Sequence, residues 1–329
     1  MTQENTFSSG FIGNKTGEIR AMFYNVFGYD KTCDRNASLK TIPKLRRQQI
    51  QTQLISEYEP DFIGFQEFSP SFHRDMTSML ADAGYTEVDV CPPDGEGKQC
   101  VNYTPIFYRA QKLKLISKGA LLYDEVIPHP DGSGRRINVN DQKSKSLTWA
   151  IFEVISSKKR FIAANTHFMY DSHELVSLSL ADAIRKKNAS AMLNALTSIK
   201  AEEKANELPI VVGGDLNGNP NEEFFKMLTG NGMKWLYDIS PVKDNSCGMH
   251  GYTFCNVDTG KIAECSLPAD GVEKSIDYIF AMQGKGACKL QVSAYVTVTD
   301  EGALFSSDHC PRITDFSLTS NNITERKIL

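Results

Sequence analysis

The chain has 329 residues, 41% hydrophobic and 23% charged, with 36 basic against 40 acidic side chains and a formal net charge of −4. That balance belongs to a globular protein with a sizeable core and excludes a disordered or collagen-like chain. A negative net charge argues against broad electrostatic holding of nucleic acid, so any polyanion must be met locally, by a patch or a metal ion.

At roughly 150 residues per domain the length would hold two domains, yet single α/β domains often pass about 200 residues. No Pro/Gly/Ser linker and no repeat divides the chain, so one domain is expected over 19–319, with a loose polar arm over 1–18 and a tail over 320–329. No apolar run reaches the roughly 18 residues of a transmembrane helix, and the polar N-terminus has no apolar signal segment. A cytoplasmic protein with no membrane insertion is expected. Its cysteines (33, 91, 100, 247, 255, 265, 288 and 310) include no Cys-x-x-Cys pair and read as free thiols rather than disulfides or a zinc ribbon.

Apolar, β-branched runs predict strands over Ile19–Asn25, Asp61–Phe65, Leu147–Val154, Phe161–Thr166, Ile210–Val212, Ile276–Ala281 and Val292–Val298. Helices lie between them. One follows Thr41, with Ile50, Leu54 and Tyr58 on an i,i+4 face. Ser69-Pro70 caps and opens a second, carrying Phe72, Met76 and Leu80 and stopping at Gly84. Ser172 caps a long third, with Leu175, Leu178, Met192, Leu196 and Ile199. Asn219-Pro220 opens a short fourth, with Phe224 and Leu228, ending at Gly230.

Polar residues recur where apolar strands end: Asn25, Gln66-Glu67, Asn165-Thr166-His167, Asp215-Leu216-Asn217 and Ser307-Asp308-His309. Strand ends hold side chains rigidly at a sheet rim, where sites are built. Each piece has two readings. Glu67 is a metal ligand or a helix-start charge near Ser69. Gly213-Gly214-Asp215-Leu216-Asn217 is a site or a turn. His167 is a ligand-facing or a structural histidine. Asp277 sits inside an apparently buried strand and needs a partner, either His309 or a metal. Together, carboxylates and histidines at strand ends suit hydrolysis of a phosphoester. Carboxylates repel phosphate, so a divalent cation must stand between them, and oxygen ligands favour Mg²⁺ or Mn²⁺. A histidine paired to a buried Asp then suits proton transfer.

The order of the segments FYNV, DFIGFQE, PIFYR, LTWAIF, ANTHF, VVGGDLNGNP, TF, SIDYIF and SSDHCP resembles the endonuclease/exonuclease/phosphatase superfamily over about 20–316. The resemblance implies a DNase I-like α/β fold, a four-layer sandwich of two facing mixed β-sheets flanked by helices. It implies that Asn25 assists Glu67 and the phosphate, that Glu67 is the main Mg²⁺ ligand with Asp308 binding or supporting metal, and that His167 contacts the scissile phosphate. It further implies that Asp215 orients or deprotonates the attacking water with Asn217 beside it, that Asp277 orients a histidine, and that His309 contacts phosphate or transfers a proton. The chain departs from the pattern in two places. Asn102 stands before Arg109 where relatives often carry an acidic residue paired to the first histidine. The arginine that often precedes the LTWA-like strand is replaced by a choice among Lys143, Lys145, Arg135 and Arg136. Asn102, Arg109 and Lys145 are therefore taken, with Asn25, as candidate substrate contacts.

A fold signature does not fix a substrate. The basic clusters Lys44–Arg47, Lys158–Arg160 and Arg185–Lys187 read as solvated faces, and no aromatic residues interleave them. A small phosphorylated molecule is the expected substrate. A nuclease or RNA-directed phosphodiesterase is the alternative, and a catalytically inactive binding protein a third reading. Segments 91–102 and 124–145 are either substrate-covering loops or surface insertions.

Overall fold

Alternation along the first strand sets the architecture. In β1 (Ile19–Asn25), Ile19, Ala21 and Phe23 join one apolar cluster while Met22 and Tyr24 join another. A strand with two apolar faces lies between two packed layers. The computed structural model describes residues 14–28, 43–93, 97, 101–123, 125–129, 132–140, 143–171, 176–202, 208–243 and 275–320. After β1 come α1 (Lys44–Tyr58), β2 (Phe62–Gln66), α2 (Pro70–Asp82), β3 (Thr86–Glu87), β4 (Ile106–Tyr108), β5 (Leu113–Leu122), β6 (Val126–Pro128) and β7 (Arg136–Asn138). Then follow β8 (Ser146–Val154), β9 (Arg160–His167), α3 (Leu178–Glu202), β10 (Ile210–Asp215), α4 (Glu223–Gly230), β11 (Lys234–Trp235) and α5 (Leu236–Ile239). The chain closes with β12 (Asp277–Met282), β13 (Cys288–Thr297), α6 (Glu301–Ser306) and β14 (Arg312–Ser320).

Two six-stranded mixed sheets face each other, ordered β13-β14-β1-β2-β4-β3 and β11-β12-β10-β9-β8-β5, and β6-β7 forms a separate hairpin. Between the sheets, Phe23, Phe62, Phe152, Phe161 and Phe316 pack in edge-on and tilted contacts with centroids 5.5–6.1 Å apart. Helices α1 and α2 cover the outer face of the first sheet through Leu54, Ile55, Phe72 and Met76. Helices α3 and α4 cover the second through Met192, Leu196, Phe224 and Leu228. The four-layer DNase I-like α/β sandwich is the expected fold.

Local signals explain most boundaries. Ser69 Oγ accepts from Phe72 N at the start of α2, with Pro70 in the first turn, and Gly84 takes φ 88° just past its end. At α3, Ser177 is the residue whose Oγ accepts from Leu180 N (3.4 Å); Ser172 lies outside the described residues. Asn219-Pro220 forms a turn rather than a helix start: Asn219 O accepts from Glu222 N (3.1 Å), and α4 begins at Glu223.

Strand β14 is absent from the sequence-based reading because Arg312 and Asp315 disguise it. Both are buried, and Asp315 accepts from Arg20 Nε (2.7 Å) and Nη2 (2.8 Å) across the β1–β14 pair. The expected loose arm shortens too. Thr16 N donates to Asp315 Oδ2 (2.8 Å), Glu18 N donates to Ser317 Oγ (3.0 Å), and Lys15 pairs with Asp61, so residues 14–18 lie against the first sheet. Residues 1–13 and the tail beyond Ser320 lie outside the described residues. Cys91 and Cys288 are free thiols. Among the described residues no helix is long and apolar enough to cross a membrane.

Candidate active site

The inner faces of the strands change character at one end of the sandwich. In β1 the inward series Ile19, Ala21, Phe23 continues to Asn25. In β2, Phe62 is followed on the same face by Gly64 and Gln66; in β9, Phe161 and Ala163 by Asn165 and His167. In β10, Val211 is followed by Gly213 and Asp215, and in β12 Asp277 precedes Ile279 and Ala281. Period-two alternation on five strands thus delivers six polar positions to one end of the sandwich from both sheets. Pairing aligns them, since Asp215 lies in register with both His167 and Asp277.

Polar bonds tie the sheets together beneath this rim. Gln66 Nε2 donates to Asn165 Oδ1 (2.6 Å), and Asn165 Nδ2 donates to Phe65 O (2.6 Å) and Pro105 O (3.1 Å). Gly64 makes room for that amide: a Cβ there would lie 2.7 Å from Asn165 Cγ. Above it, Asn25 Nδ2 donates to Asp215 Oδ2 (3.0 Å) and lies 3.5 Å from His309 Nε2. Asn25 Oδ1, the atom that would ligate a cation, instead accepts from Phe27 N (3.1 Å), so Asn25 orients Asp215 in this arrangement.

His309 Nδ1 donates to Asp277 Oδ2 at 2.8 Å, which leaves Nε2 facing Asp215 Oδ2 at 3.8 Å. Burial opposes the charge on His309, but Asp277 and Asp215 outweigh it and hold the imidazole well above the ordinary histidine pKa. Ser307 Oγ fixes the loop, accepting from His309 N (3.1 Å) and donating to Asn25 O (2.6 Å). Asp215 resists burial in the same way: His309, His167 and Lys145 keep its carboxyl below the usual range. Its Oδ1 accepts from Asn217 N (2.9 Å), and Asn217 Nδ2 donates to Phe168 O (3.0 Å). Glu67 and Asn217 both adopt left-handed backbone, φ 57° and 52°. Such strain clusters where side chains must be aimed.

His167 behaves oppositely to His309. Burial and then the Lys145 ammonium push it down to about 4, so it is neutral near pH 7. Lys145 Nζ donates to His167 Nε2 (2.6 Å), which also lies 3.3 Å from Asp215 Oδ2. Lys145 is itself buried, and burial lowers it to about 8. Its backbone is clamped by Asn140, whose Oδ1 accepts from Lys145 N (3.0 Å) and whose Nδ2 donates to Lys145 O (3.0 Å). Of the cations weighed for the anion site, Lys145 is the one that reaches His167.

Two expected substrate contacts stand elsewhere. Arg109 follows β4, which runs antiparallel to β2 with Phe62 opposite Tyr108, so it ends beside Asp61 and Glu59 at the opposite edge of the sheet. Asn102 is near the rim but enclosed. Its Nδ2 donates to Val90 O (2.8 Å) and Thr148 Oγ1 (3.1 Å), and its Oδ1 accepts from Thr104 N (2.9 Å). With no acid at 102, His167 meets Lys145 and Asp215 instead. Sequence reasoning passed over Asn140 and Tyr123, which fix Lys145, because only the pairing of β5 with β8 brings them together.

A cation fits the acidic side of the site. Glu67 Oε2 is buried with no hydrogen-bond partner, and burial followed by the Asp308 charge pushes the Glu67 carboxyl up to about 7. Burial also raises Asp308. Ligand atoms of Glu67, His167 and Asp215 lie within 4.8 Å of one another. A buried carboxylate oxygen with no donor, repelled by a second carboxylate, has the chemistry of a hard divalent cation site.

No family model matches the sequence, and no curated protein matches it. Solved structures do. An endonuclease/exonuclease/phosphatase from Bacteroides vulgatus is 25% identical, covers 92% of this chain and 99% of its own, and superposes with a TM-score of 0.65. A mannosyl-6-phosphatase from Bacteroides thetaiotaomicron is 18% identical over 91% of this chain and 99% of its own, TM-score 0.64. D. rerio TDP2 complexed with single strand DNA product is 15% identical over 91% and 98%, TM-score 0.58.

Proposed function

As a member of the endonuclease/exonuclease/phosphatase superfamily, the chain is, we propose, a Mg²⁺- or Mn²⁺-dependent hydrolase of a small soluble phosphate ester. The observation that carries the reading is the meeting of opposite charges at one rim. The carboxylates of Glu67, Asp215 and Asp308 suit a cation, and Lys145 and His309 close beside them suit an anion.

Glu67 and Asp308 would hold the cation, which would neutralise phosphate charge and polarise its oxygens. Lys145 draws the phosphate toward the second sheet, where neutral His167 and the Asn217 side chain line the same rim. Asp215, ionised at neutral pH, accepts a hydrogen bond from water and aims it at phosphorus, while Asn25 fixes Oδ2. His309, held charged by Asp277, offers its Nε2 proton to a phosphate oxygen as charge develops there, a contribution of roughly 10²–10⁴-fold. Water attacks in line, the P–O bond to the alcohol breaks, and the proton that water gives up at Asp215 leaves on the alcohol oxygen as phosphate is released.

The net charge of −4 favours a small ester over a nucleic acid. The fold it shares with both the mannosyl-6-phosphatase and the DNA-bound TDP2 is neutral on that choice. The free thiols accord with a reducing cytoplasm. The test is an activity screen with Mg²⁺, Mn²⁺ and EDTA over sugar, inositol and nucleotide phosphates beside single-stranded RNA and abasic DNA. Metal-dependent turnover of small esters alone is expected. Salt-sensitive cleavage of nucleic acid would replace this reading with a nuclease, and silence on every phosphoester with one of a binding protein.

A further inference from the structure

Beyond the phosphate, the rim carries a feature that the chemistry above leaves unused. Tyr170 is 45% exposed and, among the side chains described, is the only exposed aromatic ring. It lies at the site: Lys145 Nζ, 2.6 Å from His167 Nε2, also stands over the Tyr170 ring, 4.9 Å from its centroid. The ammonium therefore sits between the phosphate-side histidine and an exposed aromatic face.

The fold explains why the ring points outward. The β6-β7 hairpin packs Ile127, with Ile137 and Val139, onto Met169, Ala181 and Ile184, which buries Met169. Met169 N donates to Asn188 Oδ1 (3.2 Å) on α3. Its neighbour Tyr170 is thereby turned to the surface. The hairpin excursion leaves and returns at the rim, where Tyr123 N donates to Lys145 O (3.0 Å). One structural unit thus fixes both the anion-binding ammonium and the ring beside it.

Resting on the hydrolase reading, we propose that Tyr170 is a specificity-determining platform, selecting esters whose alcohol carries a ring that stacks on the tyrosine while the phosphate lies against Lys145. An exposed large aromatic surface beside a polar site is where a saturated sugar ring or a nucleobase gains contact area. With the Lys145 ammonium over the ring, Tyr170 is still 45% exposed, which leaves surface for a substrate ring.

Wild type, Tyr170→Ala and Tyr170→Phe would be assayed with hexose 6-phosphate, nucleoside 5′-monophosphate and, as the ring-free ester, glycerol phosphate. The readout is the ratio of kcat/KM on a ring ester to kcat/KM on glycerol phosphate. Tyr170→Ala should lower that ratio about ten-fold, chiefly through KM, and Tyr170→Phe should retain it, since stacking needs the ring and not the hydroxyl. Whether hexose or nucleoside shows the larger fall identifies which ring the platform serves. An equal loss on all three esters would reduce Tyr170 to a support for Lys145 and overturn the platform alone. No turnover of any ester by wild type with Mn²⁺ present, or cleavage of an added single-stranded oligonucleotide only, would overturn the small-ester reading and the platform with it.

Discussion

Replacing Asp277 by Asn removes one charge and keeps an acceptor for His309 Nδ1, so geometry survives while electrostatics changes. The wild-type pair is 2.8 Å apart, and a second carboxylate, Asp215, stands 3.8 Å from Nε2. At an effective dielectric of about 20, unit charges about 4 Å apart attract by ~4 kcal/mol. Asp215 still faces the ring, so the imidazolium is not stranded. The loss should stay near 2 kcal/mol, below the roughly 3–5 kcal/mol for stripping a buried ion of its only partner. The sign follows from linkage. His309 is raised in the fold, so its stabilisation is complete below an unfolded pKa of about 6.5 and fades as pH climbs through the raised value. Urea melts across a pH series should show the Asn variant weaker at mildly acid and neutral pH and converging on wild type at alkaline pH. The rate should fall roughly 10²–10⁴-fold at neutral pH, with the alkaline limb of kcat/KM moved to lower pH. A pH-independent stability difference, or a wild-type rate profile, would refute the role given to the Asp277–His309 pair.

Lys145→Met should raise KM for the phosphate ester about ten-fold or more, and should abolish the climb in wild-type KM expected above about pH 8, where the buried ammonium deprotonates; a wild-type KM–pH curve in the variant would remove Lys145 from substrate binding. Glu67→Gln should cancel the Mn²⁺-induced rise in melting temperature expected of wild type. Because its carboxyl is raised to about 7, metal-free wild type should lose stability relative to this variant as pH rises from about 4.5 to 7, and a constant difference would contradict the burial of that charge. Gly64→Ala should cost about 1–3 kcal/mol, since the new Cβ would sit 2.7 Å from Asn165 Cγ and 2.8 Å from the Phe23 ring; an unchanged melting temperature would show that the Gln66–Asn165 bridge yields freely.

Strand ends were the legible part of this chain. Asn25, Glu67, His167, Asp215, Asp277 and His309 each follow or interrupt an apolar run, and side-chain alternation then delivers most of them to one rim. What local sequence lacks is strand direction. Arg109 follows its apolar strand just as His167 does, yet β4 runs opposite to β2 and carries it away from the rim. Buried charge is the second blind spot: Arg312 and Asp315 make β14 read as surface until Arg20 is found across the ladder. The third is long range. Nothing near Tyr170 announces a hairpin that will cover Met169 and expose its neighbour. The Thr253-Phe254 motif lies outside the described residues.

The hydrogen bonds that matter most here cross the gap between two independently built sheets, Asn25 to Asp215 at 3.0 Å and His309 to Asp277 at 2.8 Å. The width of that gap is set well below the rim by the edge-on and tilted rings of Phe23, Phe62, Phe152 and Phe161. Close-packed interiors transmit small volume changes instead of absorbing them. The aromatic filling therefore acts as a spacer whose thickness fixes the reach of the catalytic side chains. A methylene gained or lost among those rings would be felt first as a misaligned water or proton, and activity and core packing would drift together under mutation.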